Sequence, residues 1–129
     1  MKRDEFLKQV QSEAQLDSRD EAERVTKATL EVLALRIVGD EAKDLASQLP
    51  KEIGEYLRGR EGQNGQYFSL EEFYQRVADK QAIDPGFAAM QVRAVMAVLQ
   101  QAVSPGEFAD VRANFSDDYE ELFVVQNAS

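Results

Sequence analysis

The sequence predicts an all-α fold of about eight helices, built as two tandem four-helix repeats packed into one compact domain. Three observations lead there. Helix-opening and helix-closing residues recur at regular intervals, apolar residues follow helical spacing, and the second half of the chain repeats the pattern of the first. Alternating apolar runs bounded by turn residues, the mark of strands, do not compete with this reading.

The first helix spans roughly 4–15, with Phe6, Leu7, Val10 and Ala14 on one face. Ser18 and Glu21 form a capping box that opens a second helix over about 19–38. Gly39 ends that helix and Asp40 starts a short third one. Pro50 suits the first turn of a fourth helix, and Gly59 lies just past its end. Residues 59–68 are the one Gly- and Gln-rich stretch and read as a linker. Beyond it, Ser69 with Glu72, Asp84 before Pro85, and Ser104 before Pro105 open three more helices, and Ser116 opens the last.

The repeat is explicit in the residues. At an offset of 67, Phe6 aligns with Phe73, Val10 with Val77 and Asp17 with Asp84. Past that turn the offset is 66, pairing Ala28 with Ala94, Leu33 with Leu99, Glu41 with Glu107, Asp44 with Asp110 and Leu57 with Phe123. The single lost residue falls in a turn, because a deletion inside a helix would rotate everything after it by about 100°. The repeats therefore run over 4–58 and 69–124. The second helix of each is apolar on several faces, leaving in the first repeat only a polar strip at Glu23, Lys27 and Glu31. Such helices belong at a centre, so the two are expected to pack on one another with the shorter helices around them.

Composition narrows the function. The 129 residues contain no His, Cys or Trp, which excludes zinc fingers, thiol chemistry, disulfides and His-dependent nucleophiles. The net charge is −9. Residues 1–60 carry 11 basic and 13 acidic groups, net −2, whereas residues 61–129 carry 4 and 11, net −7. No nucleic acid and no membrane partner is expected of such a chain, and the second half is the side to meet a cationic partner. A secretory signal and an uncharged span of membrane length are both missing from the sequence, so a cytoplasmic location is expected.

Paired carboxylates at Glu71–Glu72, Asp117–Asp118 and Glu120–Glu121 are read as helix caps and solvated faces, because adjacent helical residues point different ways. No catalytic residue, cofactor or metal is expected. Gly59, Gly62 and Gly65 lack the strand and the Lys-Ser/Thr that a phosphate loop needs. The C-terminal helix carries Phe115, Tyr119, Leu122 and Phe123 on one stripe, matching core positions of the first repeat, with acidic residues beside them. Asp117, Asp118, Glu120 and Glu121, followed by the apolar Val124 and Val125, form the candidate partner surface.

The segments LDSRDEAERVTKATLEVLALRI, SQLPKEI, FSLEEF and AVMAVLQQAVSPGE resemble a bacterial domain-of-unknown-function family, number 2267, over roughly residues 3–123. The resemblance implies a helical domain and hands over no catalytic residue. A regulatory or accessory protein acting through protein–protein contacts is the expectation. The alternative is a small-molecule binder with an apolar cleft between the repeats. An unknown protein partner is implied, and monomer and homodimer are not distinguished.

Overall fold

Four helix starts are closed by the side chains that the sequence singles out. The hydroxyls of Ser18, Ser69 and Ser104 accept the N–H groups of Glu21, Glu72 and Glu107, each at 3.1 Å, and Asp84 Oδ1 accepts that of Gly86 at 2.8 Å. The computed structural model describes residues 1–123. It contains α1 (Arg3–Glu13), α2 (Arg19–Arg36), α3 (Gly39–Ser47) and α4 (Lys51–Gly54), which continues as a 3-10 turn over Glu55–Leu57. Then come α5 (Leu70–Gln81), α6 (Pro85–Ala102), α7 (Pro105–Arg112) and a closing 3-10 segment, Asp117–Leu122. The described residues are all-α and include no strand, as expected.

Elements of the two halves follow the same order, and both long helices have 18 residues. A backbone detail repeats too. Among the described residues, Gln15 and Ala82 alone adopt positive φ without being glycine, both at 54°, and they stand 67 positions apart. Each terminates the first helix of its half in a left-handed turn, a conformation that costs a side-chain-bearing residue energy.

Helix boundaries depart from the expectation in four places. α2 stops at Arg36, and Gly39 opens α3 instead of closing α2. Pro50 precedes α4 with an extended ψ of 142°. The last element is a 3-10 segment, and Ser116 does not cap it with its side chain. The capping boxes are made by their serines: the Glu72 carboxylate turns to Arg76 at 2.9 and 2.5 Å, and Glu107 turns inward.

α1, α2, α5 and α6 form the centre, and they pack crosswise. Besides its own neighbour in sequence, α1 lies on α6 and α2 lies on α5, while α2 and α6 touch across the middle. Leu30, Leu33, Val95, Val98 and Leu99 are fully buried there. α3 packs against α7 at one end. The apolar surface thus removed from water is shared between the halves, which is the dominant stabilising term.

The stretch read as a linker is fastened to α2. Gly65 and Gln66 donate their N–H groups to the carbonyls of Ile37 (2.8 Å) and Leu35 (2.9 Å), and Asn64 Nδ2 donates to Ala34 at 2.6 Å. Carbonyls at the end of a helix lack partners of their own, and this segment supplies them. Positive φ values at Gly59, Gly62 and Gly65 let the chain turn tightly enough to do so.

Candidate functional site

The acidic C-terminal edge is divided in role. Asp118 is exposed but bonded within the chain: Oδ2 accepts the Leu70 N–H at 2.8 Å, and Oδ1 accepts the Ser116 hydroxyl. These hydrogen bonds, with the nearby Arg36 charge, hold its carboxyl below the usual carboxylate range. Glu121 accepts the Tyr74 hydroxyl at 2.5 Å and Arg93 Nη1 at 3.2 Å. Burial raises the Tyr74 phenol pKa, and the carboxylate beside it raises it further. Asp117 and Glu120 face solvent and make no side-chain ion pair among the described residues. Val124 and Val125 lie outside the described residues.

Between these acids the apolar stripe faces inward, as its match to the first repeat suggests. Tyr119 is fully buried, and Phe115 and Leu122 are nearly so. The Tyr119 ring sits 4.6 Å from Phe115 and meets Phe73 edge-on at 6.0 Å. Its hydroxyl donates to the Phe68 carbonyl at 2.6 Å, and burial pushes its pKa up to about 12.

α6 exposes two large apolar side chains one turn apart. Phe87 is 64% exposed and Met90 43%. Arg93, the partner of Glu121, lies one turn after Met90 on the same helix. Sequence reading places α6 in the core as a whole. Phe87 and Met90 stand on the outward side of its first turns, whereas Ala88 between them is fully buried.

A groove of about 590 Å³ separates the halves along α2, α5 and α6. Val25, Ala28 and Ile83 floor it, but charged and amide groups including Arg24, Lys27, Glu31 and Lys80 form its walls. The groove therefore offers apolar and polar lining together between the repeats.

A second acidic group lies at the α3–α7 contact, and sequence reading assigned it no role. Glu107 is 7% exposed, and Glu41 of α3 is half-buried beside it. Burial, and then the hydrogen bond and charge of Glu41, push the Glu107 carboxyl up to about 8. Oε2 of each has no hydrogen-bond partner and no contact with solvent. The signal available beforehand was the shared Glu-x-x-Asp spacing at 41/44 and 107/110.

Among the described residues, no single helix is long and apolar enough to cross a membrane. α5 and α6 pass that test only as a pair bent by 102°. Fold and surface define a small helical domain with an exposed apolar pair on α6 and an acidic C-terminal edge. The chain belongs to the family described as "Uncharacterized conserved protein (DUF2267)", which matches residues 3–122. No curated protein matches it.

Proposed function

We propose that this chain is a non-enzymatic accessory or regulatory protein of the cytoplasm that works by binding another protein. Its contact face consists of Phe87 and Met90 with the outward acids Asp117 and Glu120. The observation that carries this reading is the 64% exposure of Phe87, with Met90 one turn away, on a helix otherwise committed to the core. Aromatic and Met anchors ringed by charge are the composition of an interface centre and its rim. A net charge of −7 over residues 61–129 calls for a basic partner surface.

The test is affinity capture from a bacterial lysate with wild-type protein and two variants. Phe87→Ala with Met90→Ala removes the anchors, and Asp117→Lys with Glu120→Lys reverses the rim; all four positions are exposed, so the fold should survive. A basic partner retained by wild type and lost by both variants supports the reading. Equal retention by all three proteins, or none by wild type, overturns it.

A further inference from the structure

We propose that α3 and α7 together hold a calcium-class divalent cation, with Glu41, Glu107 and Asp110 as its protein ligands. One carboxylate oxygen from each of the three lies within 4.8 Å of the others. Oxygens bound to one Ca²⁺ at about 2.3–2.6 Å stand about 3–5 Å from each other, so the three can close on a single ion. Ca²⁺ accepts irregular sets of protein carboxylates, whereas Mg²⁺ demands near-ideal octahedral geometry and keeps its waters, so a three-carboxylate cluster favours the larger ion.

Independent support comes from Glu107 itself. Its side chain is more than nine-tenths buried, yet Oε2 has no partner, and Oε2 of Glu41 is in the same condition. The groups that act on it most strongly are Glu41, Asp44 and Asp110, all of its own sign. Nor is the carboxylate needed as a cap, because Gln48 Oε1 already accepts the Ser104 N–H at 2.8 Å, the donor that a capping-box Glu would serve. Two acids pressed together out of water require positive charge between them. Asp110 is exposed, which leaves a side open for the water ligands that Ca²⁺ adds to its protein oxygens. Asp44, the counterpart of Asp110 in the first half, extends the negative field on the α3 side. The first half contributes one Glu and the second a Glu and, a turn later, an Asp, and the cation would tie the halves together where their matching helices meet.

A single proton shared by Glu41 and Glu107 is the competing way to neutralise the pair, and the test separates the two. Chelator-treated full-length protein is titrated with CaCl₂, in parallel with MgCl₂, by calorimetry and thermal unfolding at mildly alkaline pH. We expect one saturable Ca²⁺ site per chain and a melting temperature that climbs with Ca²⁺ concentration. Mg²⁺ should bind more weakly. Glu107→Gln should abolish the response, and Asp110→Asn should weaken binding by about tenfold or more. Without cation, Glu107→Gln should melt no lower than wild type, since it relieves the repulsion; this shows that lost binding is not lost folding. A wild-type protein with no saturable response at millimolar Ca²⁺, or a response unchanged in Glu107→Gln, overturns the proposal and leaves the shared proton as the neutralising group.

Discussion

Arg36 donates from Nη1 to the backbone carbonyl of Asn114 at 2.8 Å, joining the end of α2 to the turn after α7 across 78 positions of sequence. Its Nε reaches the Phe68 carbonyl at 3.3 Å, the same oxygen that accepts the Tyr119 hydroxyl. Around the guanidinium stand Tyr67, Phe115 and Tyr119, their ring centres 4.9–5.2 Å away. The charge is buried and satisfied by carbonyl dipoles and aromatic faces instead of a direct carboxylate contact.

Arg36→Ala strands the Asn114 carbonyl, leaves the Phe68 carbonyl to Tyr119 alone and empties the space among three rings, and should cost about 2–4 kcal/mol. Arg36→Lys, which keeps the charge but loses the planar fork, should recover only part of that. Urea unfolding of the three proteins measures the order wild type, Lys, Ala.

Thr26 and Thr29 are fully buried in α2, and neither hydroxyl has a partner. The matching positions of the second half, 66 residues on, are Val92 and Val95. Thr26→Val and Thr29→Val should each leave stability unchanged or raise it by about 1 kcal/mol, as an unpaired hydroxyl gives way to a methyl. A thermal melt resolves the sign.

Gly54 closes α4 against α3. A Cβ there would stand 2.7 Å from the Ala46 carbonyl oxygen, so the backbone would have to part. Gly54→Ala should destabilise by about 1–3 kcal/mol, read from the urea midpoint.

Asp118 ties the acid limb of the stability curve to the start of α5. Its pKa is lower in the folded chain than in the unfolded one, so its contribution is present above its ordinary value of 3.8 and fades as acid protonates the folded form. Asp118→Asn should therefore be less stable than wild type at neutral pH, and the gap should narrow below pH 3.8. Chemical denaturation at both pH values gives the comparison.

Much of this architecture can be read from the residues because caps and apolar spacing are local. Ser18, Ser69, Asp84 and Ser104 act through the next two or three residues, and Leu33 and Leu99 declare themselves by period alone. The elements that escape reading depend on distant partners. Offset 66 pairs Arg36 with Ala102, so the repeat gives no hint that Arg36 is a buried clamp. Glu107 has the spacing of a capping residue, and only the approach of α3 turns it inward. The Gly-rich stretch has a linker's composition, yet Asn64 and Gln66 find carbonyls on α2 that local sequence cannot foresee. At the acidic edge, four adjacent charges look alike in sequence; Leu70, Tyr74 and Arg93 assign Asp118 and Glu121 to internal bonds and leave Asp117 and Glu120 outward.

Because α1 leans on α6 and α2 on α5, the chain is laced rather than stacked. Severing the peptide near Gly62 would not release two independent folds. The fragments should stay unstructured apart and regain helicity only when mixed, each acting as the template on which the other closes.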